Sequence, residues 1–449
     1  GPETDELDWL ASQLAEAGIR DAWDPGDRFS IPPPEDIAKL QQVLENAAVL
    51  QPVWDRLSST ERFFGICDLA ESDRRSNALI DISIWQRLLA TEAIYHNRPA
   101  ILAKALDSLQ KLSTFADWGI EFEGWQISGY CLLVEMANNC GVADEAILTE
   151  ALSSCRQWES KLAAIQEIDF QVNAYLDRRS CEEEPLQYPW RLHGPSVRLF
   201  FEQYLWRNYD LAALQNYLAQ VKSLISLEYY QGNTKLRALE DEYCSEYHYV
   251  TRETAWAYRW RWFENYSSHL ARLRTARAGI AVELYRRRHG AWPESLEQLV
   301  PEFLDAVPVD PFTGKALEYC RMQLRSINGQ LYPAEASVEI VRRKPIGIME
   351  IMGAGRMPLD EIGEEDALED DEAAYDFRPE IYDYWVYLPE EEELRDINFW
   401  ITVVSSTGKD GVLAAIPDEL QTADWKRTGG DINFYLLEEK ITSSAPAWR

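Results

Sequence analysis

The chain has 449 residues, of which 76 are acidic and 44 basic, giving a formal charge of −32. That balance repels phosphate backbones and anionic bilayers, so it excludes nucleic acid as a natural partner and favours divalent cations or basic protein partners. Hydrophobic residues make up 46% of the chain, enough for a sizeable core in two or three domains, yet no run of 18 apolar residues is present to cross a bilayer.

The first 250 residues carry helical periodicity. Leu7, Leu10, Leu14 and Ile19 recur close to every 3.6 residues and predict a helix over 6–19. Ile31-Pro32-Pro33-Pro34 breaks the pattern. Glu35 and Asp36 then open the next helix, where acidic side chains face the positive end of the backbone dipole. Further helices are predicted over 79–95, 98–114, 123–139, 144–178, 195–206, 210–229 and 233–289. Asn97-Arg98-Pro99 and Asn139-Cys140-Gly141 supply turns between them. No repeat of fixed period recurs, so the expectation is an irregular bundle or array of antiparallel helices. Within it, residues 251–289 contain no Pro and only one Gly, Gly279. Trp256, Trp260, Phe263, Tyr266, Leu270, Leu273, Ile280 and Leu284 give this stretch a broad apolar face, and it reads as one long bridging helix.

After Gly290 the texture changes to Pro, Gly and short runs of β-branched and aromatic residues. Strands are predicted over 317–321, 337–342, 381–388 and 398–405. More than half of residues 360–376 are Asp or Glu, and like charges at that density resist packing, so the segment reads as a solvated loop inside an insertion over 325–398. The local chemistry around the first of these strands is specific. Gly290 suits the residue just past a helix, where positive φ carries no Cβ penalty. Pro293 suits the first turn of a following helix whose Leu296, Leu299 and Phe303 share a face. Asp310-Pro311-Phe312-Thr313-Gly314 is a turn that feeds a strand.

Leu284-Tyr285, Gly290, Trp292-Pro293-Glu294-Ser295-Leu296 and Pro308-Val309-Asp310-Pro311-Phe312-Thr313-Gly314 together resemble the globular domain of type II secretion major pseudopilins, the G type. A second match follows near the C-terminus. Trp400–Ser405 look like the family's strand, Ser406-Thr407-Gly408-Lys409-Asp410-Gly411 like its Ser-x-Gly-x-Asp-Gly, and Gly429-Gly430-Asp431-Ile432 like its closing Gly-rich stretch. The resemblance spans residues 270–320 and 399–434, under a quarter of the chain. It implies a long helix lying across a small antiparallel sheet. It also implies a calcium-binding loop whose ligands are Asp410 and Asp431, with Asp424 matched by type and region only. The chain departs from the family in the apolar run Val412-Leu413-Ala414-Ala415-Ile416-Pro417, in the insertion over 325–398, and in the large helical region that precedes the long helix. The family's habit further implies a native membrane anchor ahead of Glu3, and Gly1-Pro2 reads as a protease scar.

Catalytic signatures are missing: the sequence holds no phosphate-binding loop, zinc-protease His pair, nucleophile elbow or dinucleotide fingerprint. His96, His193, His248, His269 and His289 are scattered. The seven cysteines form no C-x-x-C pair and read mainly as free buried thiols. The 17 Trp and 22 Tyr read first as packing and second as a sugar-binding surface. The best enzymatic alternative is therefore glycan cleavage by two of Glu240, Asp241, Glu242 and Glu246, beside Tyr243, Tyr247 and Tyr249. A cytosolic scaffold is the third class. The expected fold is α+β: an all-α domain over 3–250, a bridging helix over 251–289, and a pseudopilin-like module over 290–449. The expected function is non-enzymatic structure or binding in the cell envelope, linked to secretion or surface assembly, with protein partners and bound calcium.

Overall fold

The computed structural model describes residues 2–19, 34–58, 69–115, 119–183, 207–244, 251, 255, 263–327, 330–333, 338–343, 384–389, 396–407 and 432–437. In chain order the helices are α1 Pro2–Glu16, α2 Pro34–Ala47, α3 Gln51–Ser58, α4 Leu69–Tyr95, α5 Pro99–Phe115, α6 Gly119–Asn139, α7 Glu145–Glu183, α8 Arg207–Val221, α9 Tyr229–Tyr243 and α10 Tyr266–His289. The strands are β1 Glu318–Ile327, β2 Gln330–Pro333, β3 Val338–Arg343, β4 Tyr384–Pro389, β5 Asp396–Ser406 and β6 Ile432–Leu437. The chain is α+β, mostly helical with little sheet. It divides into two compact units, one of Gly1–Met322 with Ile401–Ala445 and one of Gln323–Trp400 with Pro446–Arg449. None of the described helices is long and apolar enough to cross a membrane.

The expected helical stripes become core. Leu10 and Leu14 of α1 are fully buried, and α1 packs on α4, which packs in turn on α5. Asn97 and Gly141 take positive φ in the two turns that the sequence marks. Two predicted helices end early. The 210–229 helix stops at Val221, and the 233–289 helix is interrupted at Cys244, whose φ and ψ of −103° and 49° leave the helical region. Beyond that break the Thr251 hydroxyl donates to the buried Asp210 carboxylate of α8 at 2.7 Å, and the Thr251 N–H donates to the same oxygen at 3.1 Å. A buried carboxylate needs such donors, and finding them brings the chain back to α8 where local propensity favoured continuing outward.

α10 ends as its sequence requires. Gly290 adopts φ +70°, and Arg286, Arg287, Arg288 and His289 occupy the last turn, where cations meet the negative end of the helix dipole. The helix expected after Pro293 is corrected to a single 3-10 turn over Leu296–Leu299. Val300 is extended, as residues before proline are, and Pro301 blocks continuation.

Within the first unit the strand order is β1-β5-β6, and β5 and β6 are antiparallel with Val404 opposite Phe434 and Thr402 opposite Leu436. Val404, Ile432, Phe434 and Leu436 belong to the same apolar core as the buried face of α10. α10 packs against α6, α7 and β6. The closest approach is at Gly279, where an added Cβ would lie 2.1 Å from Phe434 Cδ1. Asn139, at the end of α6, serves β6 directly: its amide donates to the Tyr435 carbonyl and its oxygen accepts from the Leu437 N–H, each at 3.1 Å. Two backbone groups of a strand are thereby satisfied by one side chain.

In the second unit the far end of β1 pairs antiparallel with β2, and β3 pairs with β4 in parallel register, Val338 opposite Tyr384. This parallel pair is a separate two-stranded sheet within the insertion over 325–398. It follows from the long connection between β3 and β4, since parallel strands need a crossover that a hairpin cannot supply.

Candidate functional site

Polar side chains converge where the Pro-rich turn meets the end of β5. The Asp310 carboxylate is buried and accepts four hydrogen bonds: from the Phe312 N–H at 2.9 Å, the Ser406 hydroxyl at 2.9 Å, and the Thr407 N–H and hydroxyl at 3.1 and 3.2 Å. The turn closes on itself through Asp310 N–H to Lys315 O and Gly314 N–H to Asp310 O. Gly314 has φ +73°, and a Cβ there would meet the Tyr230 ring at 2.7 Å, so both conformation and space demand glycine. Asp310 therefore fixes the point at which the chain leaves β5 toward residue 408.

Beside this clamp runs a charge lattice. Arg274 of α10 donates to Glu159 of α7 at 2.9 Å, to both carboxylate oxygens of Glu228 at 2.8 and 3.2 Å, and to the Val309 carbonyl at 2.8 Å. Arg277 donates to the other oxygen of Glu159 at 2.6 Å. The planar guanidinium makes this possible, since one group satisfies several acceptors in fixed directions. The lattice joins α7, α10, the residue before α9 and the turn. At the end of α10 the fully buried Glu283 accepts from Arg286 and Arg287, while Arg288 pairs with Glu145 and Glu302. Hydrogen bonds from His289 and then Arg288 hold the Glu302 carboxyl below its usual range.

The expected calcium ligands Asp410, Asp424 and Asp431 lie outside the described residues. Among the described residues no group of three or more His, Cys, Asp or Glu is arranged to hold a metal ion. Glu240, Asp241 and Glu242 occupy successive positions near the end of α9, so their side chains splay by about 100° each around the helix. Tyr243 follows them and accepts a hydrogen bond from Gln220, while Glu246, Tyr247 and Tyr249 lie outside the described residues.

The described histidines are dispersed. His96 contacts Gln41, His289 contacts Glu302, and His269 lays its ring on Gly124, where a Cβ would come within 1.8 Å of Nε2. Burial first, and Arg272 second, push the His269 pKa down to about 3 from 6.5. Between those values the unfolded chain binds a proton that the folded chain does not. Stability present above the unfolded value is therefore lost as the pH falls through this window, at a rate of at most ~1.4 kcal/mol per pH unit from this group. His269→Gln is expected to lose less stability than the parent between pH 6.5 and 4 in urea titrations, and parallel pH profiles would contradict this.

The sequence marked Asp310 as a turn former but carried no signal of its grip on β5. It carried none at all for the Arg274 lattice, whose partners are separated by 46 and 115 positions. Comparison with family models, curated proteins and solved structures returned no match for this chain.

Proposed function

We propose that this chain is a non-enzymatic structural or binding protein of the bacterial cell envelope, built on a pseudopilin-like module that calcium stabilises. The observation that supports this reading best is the path of α10. It crosses β6 at Gly279 and Phe434, ends at left-handed Gly290, and is followed by the Asp310-centred turn. This is the order of parts that the family resemblance implies. The Asp310 clamp adds a chemical reason for a rigid entrance to the β5–β6 loop. A cation site built from Asp410, Asp424 and Asp431 needs its strand ends held still, because the ligands must converge without a large ordering cost. Its physiological partners in this reading are proteins of a secretion or surface assembly.

Thermal melting of the protein with calcium and with a chelator tests the metal. By mass action, calcium at about 100 times its dissociation constant adds about 2.7 kcal/mol. The melting midpoint is expected to rise by several degrees, and the rise is expected to vanish in the Asp410→Ala, Asp431→Ala double variant. An unchanged midpoint in a folded protein overturns the calcium assignment. Recovery of the full-length native protein in the soluble cytosolic fraction overturns the envelope assignment.

A further inference from the structure

The first half of α6 has little that holds it as a helix by itself. Gly124 and Gly129 lie inside it, and glycine weakens a helix interior. The Ser128 hydroxyl turns back to the Gly124 carbonyl at 2.7 Å, a bond that bends helices. Neighbouring helices supply the support. From α4, Arg87 donates to the Trp125 carbonyl at 2.7 Å and stacks over the Trp125 ring at 3.6 Å, and its guanidinium fills the place that a Gly129 Cβ would take. Ser83 of the same helix donates to Gln126 at 2.8 Å. From α10, His269 lays its ring where a Gly124 Cβ would stand. Of these three supporting side chains, only the histidine is of a type that changes charge near neutral pH.

We propose that His269 on Gly124 is a proton-operated latch: its neutral ring closes the first half of α6 against α10, and protonation opens that seam while the rest of the unit stays folded. This goes beyond the function proposed above and rests on none of its parts. The surroundings favour the neutral ring. Burial first, and Arg272 second, hold its pKa down at about 3. Arg272 is the charged group that faces it from α10. α6 meets it with the backbone of Gly124, and carries Glu121 and Glu123 just before that residue in sequence. Behind Trp125, α4 adds the Arg87 cation. α7, also packed on α10, commits Glu159 to Arg274 and Arg277. β6 meets α10 further along, at Gly279, with the uncharged Phe434. Once the seam opens, water reaches the ring and its proton affinity returns to the ordinary histidine value of about 6.5. Opening therefore takes up a proton, and its equilibrium constant rises as the pH falls from the open value toward the closed one, by at most about tenfold per pH unit.

Hydrogen exchange of the full chain, read by mass spectrometry and corrected for the intrinsic pH dependence of amide exchange, measures the opening directly. The range from pH 7.5 to 5.0 lies above ordinary carboxylate titration, so it isolates histidine. Peptides covering 119–129 should open about 30-fold more at pH 5.0 than at pH 7.5, while peptides of α5 keep their protection. In His269→Gln that rise should vanish. Gly124→Ala unseats the ring, and should expose 119–129 already at pH 7.5 and flatten the profile. If neither variant folds, NMR of the parent with ring-labelled histidine decides: at least one of the five rings should remain neutral at pH 5.0. A flat profile over 119–129, an equal rise in α5, or a rise that persists in His269→Gln overturns the proposal. So does titration of all five rings near the ordinary value.

Discussion

Asp310→Ala is expected to lower the unfolding free energy by about 4 kcal/mol. A hydrogen bond to a charged group contributes about 1.5–3 kcal/mol net, and Asp310 accepts four, from Phe312, Ser406 and Thr407. These are not additive, because three of them share the same strand end and relax together. Removing the carboxylate also leaves buried donors without an acceptor, and that desolvation term makes the loss larger than any one bond. Asp310→Asn should cost about half as much. Its carbonyl oxygen can still accept from Phe312 and Ser406, while its amide meets the Thr407 N–H donor to donor. Urea unfolding at neutral pH measures both, read from the midpoint at unchanged slope. Equal losses from the Ala and Asn variants would contradict the two-sided clamp.

The second large effect is expected at Gly279. A Cβ at this position lies 2.1 Å from Phe434 Cδ1 and 2.8 Å from Cε1, distances no real methyl adopts. Phe434 is 2% exposed and has little room to retreat. Overpacking in a tight core costs about 1–3 kcal/mol, and Leu adds three further carbons beyond the clashing one. Gly279→Leu should therefore lose about 3 kcal/mol or more, against a gain of about 1 kcal/mol in helix propensity that an exposed helix would show. Chemical denaturation distinguishes the two signs. A Leu variant as stable as the parent would mean that α10 does not press on β6 at this residue.

Local signals were legible in the sequence. The Leu10 and Leu14 stripe, left-handed Gly290, the 310–314 turn and strand β5 each follow from a few neighbouring residues, and each forms about where it is expected. What stayed hidden depends on distant partners. The break after α9 reflects Thr251 docking on Asp210, which no helical periodicity reveals. Strand β6 reads Ile-Asn-Phe-Tyr-Leu-Leu and is buried at every position, so it lacks the alternation that marks a half-exposed strand. The short helix after Pro293 was overestimated because the proline at 301 constrains it from the far end. In the site, Asp310 was recognisable only as a turn former. Arg274 was recognisable only as one charge on a long helix.

A double-mutant cycle between Gly279→Ala and Phe434→Leu tests most directly whether the long helix lies on the β5–β6 pair. In the parent background the alanine should destabilise by about 1–3 kcal/mol through contact with the ring. In the Phe434→Leu background, with the ring gone, it should cost nothing or stabilise by up to about 1 kcal/mol, as glycine replacement in a helix ordinarily does. A coupling energy above about 1 kcal/mol is the predicted result. Additive losses, with the alanine costing the same in both backgrounds, would contradict the packing on which the proposed function rests.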